Sequence, residues 1–137
     1  MLKAMFLSML LFLGAAGPEV KVYKGTSRYL SEILCTVRKD RIYKATSNYT
    51  SDVLYTIRDG QVYKGTSTYR SDILMTIRDG QVYKGTSTYR SDILATLRDG
   101  KVFDGTSNYR SDIRFTIDGH LTLPEFVAVW HAVTYVY

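Results

Sequence analysis

Tyrosine followed by arginine recurs at Tyr69-Arg70, Tyr89-Arg90 and Tyr109-Arg110. A flat ring beside a fork of N–H donors suits sugar rings, carboxylates or a protein partner, so these six side chains are the candidate ligand-binding residues. Tyr29 and Tyr49 continue the row without the arginine, and a second aromatic row runs through Tyr23, Tyr43, Tyr63, Tyr83 and Phe103. A structural account competes for both rows: an aromatic ladder tying neighbouring repeats together, with Arg70, Arg90 and Arg110 paired to Asp72, Asp92 and Asp112.

Other chemistries fail on spacing. The repeated Lys-Gly-Thr-Ser lacks the earlier glycine of a phosphate loop and places Lys before Gly. His120 and His131 are not joined by a second cysteine or a close carboxylate cluster that would complete a metal set. Ser and Asp come as repeated rows, whereas catalysis needs one unique constellation. The sequence therefore predicts no catalytic residues, no metal site and no cofactor. A catalytic reading would rest on non-repeated polar residues gathering in a pocket, around Asp104, Arg114, His120 and His131. Asp104 and Arg114 are where the last repeat breaks the pattern with charge, and end-capping accounts for both. Asp118 to Phe126 is similar to the second half of an EF-hand loop, but Arg114 stands at the leading ligand position, which excludes calcium there. Asn48-Tyr49-Thr50 fits a glycosylation acceptor.

The elements that position these residues are repeats. From Lys21 the chain falls into five rows of twenty, such as QVYKGTSTYRSDILMTIRDG from Gln61, the fifth one residue shorter. Self-similarity at a fixed period marks a repeat architecture. Asp79-Gly80 between two β-branched runs signals a two-residue hairpin turn, so each repeat is two strands. Pairing Arg78 with Gln81 sets Ile77 opposite Val82 and Thr76 opposite Tyr83, placing Ile73, Ile77 and Val82 on one side of the sheet and Leu74, Thr76 and Tyr83 on the other. The Ser, Thr and Asp side chains of the stretch from Thr86 to Asp92 hold a wider turn.

Equivalent lysines stacked ~4.8 Å apart in a one-rung solenoid would repel, whereas an antiparallel meander holds them roughly 10 Å apart, about a Debye length. The fold class predicted is all-β, tandem hairpins in a meander or hairpin superhelix over residues 18–119, with a C-terminal capping segment at 120–137. Thr122-Leu123-Pro124-Glu125 is a capping-box start for a helix. Phe126, Val129, Trp130, Val133 and Tyr137 would share its apolar face and cover the open end of the sheet; the β-branched tail from Val133 to Tyr137 also fits a strand.

At 137 residues and net charge +5, with acids in every repeat, the chain is one domain without the massed charge of a nucleic-acid binder. Cys35, alone of its kind, excludes an intrachain disulfide and reads as filler at a tolerant position, since Tyr55, Met75, Ala95 and Phe115 replace it in the other repeats. Residues 1–17 have the layout of a secretory signal peptide, cleaved after Ala16, and their apolar run is too short for a transmembrane helix. The competing reading makes them an N-terminal cap of the fold.

Asp59-Gly60-Gln61-Val62-Tyr63-Lys64-Gly65, repeated from Asp79, resembles the hairpin repeats of MORN proteins and, more loosely, those of bacterial choline-binding modules. The resemblance implies an extended hairpin sheet and a scaffold or surface-binding role, and transfers no site residues. Two functional readings follow. One is an exported, non-catalytic bacterial repeat protein, secreted, periplasmic or at the cell surface, that offers its sheet to a glycan, a cell-wall component or a protein. The other is an intracellular, cytoplasmic MORN-like scaffold with the leader built into the fold. Unpaired sheet edges favour self-association in either case.

Overall fold

Asp59-Gly60, Asp79-Gly80 and Asp99-Gly100 each fold the chain back on itself. Asp79 and Gly80 take φ of 52° and 76°, and Asp59-Gly60 and Asp99-Gly100 repeat this conformation, the double positive φ of a two-residue turn whose twist matches that of the flanking strands. In these three turns glycine is favoured twice over at the second position, whereas the Lys39-Asp40 turn has positive φ only at Lys39. A Cβ on Gly60 would sit 3.0 Å from the Ile77 carbonyl oxygen, while the Gly60 carbonyl accepts a 2.8 Å hydrogen bond from the Ile77 N–H of the next hairpin.

The computed structural model describes residues 11–13 and 19–136. Its strands are β1 (Leu11–Leu13), β2 (Glu19–Tyr23), β3 (Ile33–Arg38), β4 (Arg41–Lys44), β5 (Val53–Arg58), β6 (Gln61–Lys64), β7 (Ile73–Arg78), β8 (Gln81–Lys84), β9 (Ile93–Arg98), β10 (Lys101–Asp104) and β11 (Ile113–Thr116). They form one antiparallel sheet in sequence order, open at β1 and β11. The meander expected from charge spacing is the arrangement found. The leader lies outside the described residues except for Leu11–Leu13, whose backbone pairs with Val20, Lys21 and Val22 of β2.

The hairpin register is the expected one, with Arg78 opposite Gln81, Ile77 opposite Val82 and Thr76 opposite Tyr83. The division of faces needs a correction. Val62 pairs with Met75 but Tyr63 with Ile73, so Leu74 is an extra residue in β7. This bulge recurs at Leu34, Leu54, Leu94 and Arg114. It moves Ile73 to the Tyr63 side and turns the bulged residue toward the side of Met75, Ile77 and Val82, because one inserted residue reverses the alternation beyond it.

That second side is concave and holds a helix. α1 (Leu123–His131) begins with the capping box foreseen, the Thr122 hydroxyl accepting from the Glu125 N–H and the Glu125 carboxylate from the Thr122 N–H. Ala132–Val136 continue it as a π-helical turn, so the tail is helical rather than a strand. Cys35 of β3 approaches the Ala128 carbonyl, Sγ to O 3.8 Å, and Phe115 of β11 meets Trp130 edge to face with centroids 6.2 Å apart. In a flat sheet β3 and β11 would lie nearly 40 Å apart, at ~4.8 Å per strand, yet both touch a helix about 10 Å across. The sheet therefore curls around α1. Phe126, Val127, Ala128, Val129 and Trp130 are all buried in succession; the middle of the helix is buried around its circumference and is the centre of the core, not an amphipathic cover on an open end.

Candidate functional site

The Tyr-Arg row stands on five copies of one loop. After each even strand a residue with positive φ (Gly85, 56°) opens a turn, and the Ser87 N–H returns to the Lys84 carbonyl at 3.1 Å. Ser87 Oγ then donates to Asp92 Oδ2 at 2.7 Å and accepts from the Tyr89 N–H at 3.0 Å. The same bond joins Ser47 to Asp52, Ser67 to Asp72 and Ser107 to Asp112. The side chains expected to hold a wider turn do so, and the aspartates are engaged by serine rather than by Arg70, Arg90 or Arg110.

Tyr29, Tyr49, Tyr69, Tyr89 and Tyr109, at the N-terminal boundary of a single 3₁₀ turn, are 76, 70, 72, 73 and 70% exposed. Arg70, Arg90 and Arg110 are exposed beside them. This row is no internal ladder: its rings face solvent, and successive loops are about 10 Å apart, two strand spacings. The other row is structural. Tyr23, Tyr63, Tyr83 and Phe103 are buried on the convex side. Arg38, Arg58, Arg78 and Arg98 lie over Tyr43, Tyr63, Tyr83 and Phe103 at 4.2, 5.1, 5.1 and 4.7 Å from the ring centroids. These cation–π contacts hold the strand arginines on the convex side.

A different site lies inside the curl. The cleft, of about 320 Å³, is bounded by Leu74, Met75, Leu94 and Arg114 from the sheet and by Trp130 and Thr134 from the helix. Tyr55 and Tyr135 complete its rim. The bulges put Leu74 and Leu94 here, and each remains partly open to solvent, at 41 and 37%. In the fifth repeat the bulged residue is Arg114, whose guanidinium lies 4.6 Å from the Trp130 ring centroid and whose Nε is 3.5 Å from Asp104 Oδ1. The carboxylate of that pair is largely exposed, which makes it a weak tether. Thr134 Oγ1 is buried and has no hydrogen-bond partner, a deficit that costs on the order of 1–3 kcal/mol.

Behind the cleft, the Tyr55 hydroxyl and His131 Nδ1 are 2.6 Å apart. Burial pushes the Tyr55 phenol up to about 12 and lowers His131 below its ordinary value, so near neutrality a neutral phenol and a neutral imidazole share this hydrogen bond. Burial likewise pushes the Cys35 thiol up to about 12, leaving it protonated and unreactive. Of the four non-repeated polar residues singled out, the fold joins Asp104 to Arg114 and sets His131 against Tyr55 of the cleft. His120 lines a separate hollow of about 240 Å³ beside Phe126 and Leu121. Among the described residues no group of three His, Cys, Asp or Glu is placed to hold a metal, and no helix is long and apolar enough to cross a membrane.

Sequence reasoning passed over Tyr55, Trp130 and Thr134 as site residues. Tyr55 falls in the row of apparent filler, which faces the helix: Cys35, Ala95 and Phe115 are fully buried there. Its variation was the available signal, since a position that changes in every copy of an otherwise uniform repeat meets something that does not repeat.

Residues 18–130 match the family model described as 6-fold beta flower protein. No curated protein and no solved structure gives a significant match. The likeness to MORN and choline-binding repeats is thereby corrected to the coarser feature they share with this chain, tandem β-hairpins; the family matched is neither.

Proposed function

We propose that the chain, which belongs to the 6-fold beta flower family, is a non-catalytic binding protein that uses its tyrosine loops as a repeated contact surface. The observation that carries this reading is the exposure of all five loop tyrosines, 70% or more each, four of them on loops that their own Ser–Asp bonds hold in one shape. A large ring kept in water by a rigid loop gives little to the fold and loses little entropy on binding. Rings about 10 Å apart along a curved edge suit an extended partner of repeating units, a glycan or cell-wall polymer, with Arg70, Arg90 and Arg110 supplying donors to its oxygens. Weak contacts repeated on one rigid body add up by avidity.

The test is binding of polysaccharides and peptidoglycan fragments to the wild type and to a Tyr69→Ala/Tyr89→Ala/Tyr109→Ala triple variant. Retention by the wild type with loss of at least tenfold in the variant supports the surface; equal retention by both removes it.

Export from a bacterial cell belongs to this proposal, on the strength of the leader. Cleavage after Ala16 would take Leu11–Leu13 away and leave β2 as the edge. A second reading, an intracellular scaffold that keeps the leader, is supported by the pairing of Leu11–Leu13 with β2. The intact mass of the protein from its native host separates the two: a mass lacking the first sixteen residues supports export, and a full-length mass supports the scaffold.

A further inference from the structure

We infer that the cleft between α1 and strands β7, β9 and β11 is a binding site for a small apolar monocarboxylate, with Arg114 receiving the carboxylate and Thr134 adding a hydroxyl contact. This site is independent of the tyrosine loops, which lie on the turns rather than inside the curl.

Three observations converge on it. Its walls are apolar: Leu74, Leu94 and Met75 form one side, and the two leucines are exposed at 41 and 37% although they stand on the inner side of the sheet. Next, the polar groups at this site are unlike those of the repeats. The bulge that places Leu34, Leu54, Leu74 and Leu94 on the inner side places Arg114 there in the last copy. Its cation rests on the Trp130 face, so it is held at the cleft rather than swung into solvent. Lastly, Thr134 lines the cleft and its Oγ1 is buried with no partner in the protein, a hydroxyl that a χ1 rotation toward the cleft would bring to an incoming oxygen.

The Asp104 carboxylate lies at the Arg114 Nε, 3.5 Å away and largely exposed, so the terminal N–H groups of the guanidinium, with one hydroxyl, match one further carboxylate. A phosphate monoester carries more charge than a single arginine balances, and an uncharged apolar molecule would leave Thr134 unpaired and gain nothing from Arg114. The cavity of about 320 Å³ lies at the small end of the usual range for ligand sites, roughly 300–1,000 Å³, so the ligand is small.

The experiment titrates the full chain with decanoate and, separately, with 1-decanol, which has the same tail and no charge. Trp130, the sole tryptophan, reports binding by its fluorescence, with calorimetry as the second readout. Decanoate is expected to bind saturably and at least tenfold tighter than decanol. Arg114→Leu, which installs the residue found at this position in the other four repeats, should abolish that preference, with decanol bound at least as tightly as by the wild type. Thr134→Val should weaken decanoate several-fold while leaving the fold intact, since it removes an unpaired hydroxyl and keeps the shape. Equal affinity for decanoate and decanol, a preference that survives Arg114→Leu, or no binding of either would overturn the proposal. The Tyr69→Ala/Tyr89→Ala/Tyr109→Ala variant should bind decanoate like the wild type, so failure of the cleft and failure of the loop surface are read separately.

Discussion

The convex and concave sides of the curled sheet obey different rules. On the convex side every repeat solves its own problem. Thr36, Thr56, Thr76 and Thr96 each donate to the carbonyl of the residue nine positions on, at 2.6–2.7 Å, and the strand arginine covers the aromatic ring of its own hairpin. The neighbours are identical from copy to copy, so the residues are too. On the concave side each repeat meets a different part of one helix, and the residue at the contact changes accordingly: Cys35, Tyr55, Met75, Ala95, Phe115. A periodic sheet wrapped around a non-periodic helix must vary where the two touch, because close packing tolerates neither gaps nor overlaps.

The two sides of the sheet differ most at the centre of the core. Trp130 packs against Phe115, Phe126 and Arg114, and Trp130→Ala should cost about 3–5 kcal/mol in urea unfolding. A cost near 1 kcal/mol would mean the helix is not what the sheet closes on.

Exchanging residues between repeats sharpens this difference. Cys35→Phe copies the residue of the fifth repeat yet should destabilise by about 1–3 kcal/mol, since Cys35 is fully buried against Ala128 and extra volume strains a packed core. On the convex side Phe103→Tyr copies the other repeats and should stay within about 0.5 kcal/mol. Equal effects from the two swaps would erase the distinction drawn between the sides.

The convex rule also identifies its own defect. Ala45 holds φ of 47° where the other four repeats place glycine, and at the equivalent Gly85 a Cβ would meet nothing closer than the Ile73 carbonyl oxygen at 3.9 Å. The cost is conformational rather than steric crowding, so Ala45→Gly should raise stability by about 1 kcal/mol.

Acid should act on the concave side. His131 is kept neutral in the fold because burial lowers its pKa from 6.5. The unfolded chain therefore binds the proton more readily, and the protein loses stability as pH falls through about 6.5 and below. The urea midpoint should drop between about pH 7.5 and 5.5, and His131→Gln should flatten that drop. The smallest effect belongs to the loops. The triple tyrosine variant should unfold within about 0.5 kcal/mol of the wild type, separating binding from stability; a larger loss would return the tyrosines to a structural role.

Repeats, hairpin turns, the register within each hairpin and the capping box were legible in the sequence, because each depends on residues a few positions apart: Asp79-Gly80 sets its own φ angles, and Thr122 finds Glu125 one turn away; the meander was favoured by lysine spacing, with a hairpin superhelix as the alternative. The exposure of Tyr69, Tyr89 and Tyr109 was foreseen only as one of two outcomes, since the same spacing serves a surface or a ladder and only the packing distinguishes them. The tertiary structure decided what depends on distant partners. A single inserted residue at Leu74 reversed the faces expected for Ile73 and Leu74, and the curl brought Tyr55, Arg114 and Thr134 to one cleft from three separate parts of the chain. Local spacing fixes which groups a strand can present; the curvature of the whole sheet fixes what they meet, and that is a sum over eleven strands that no single repeat contains.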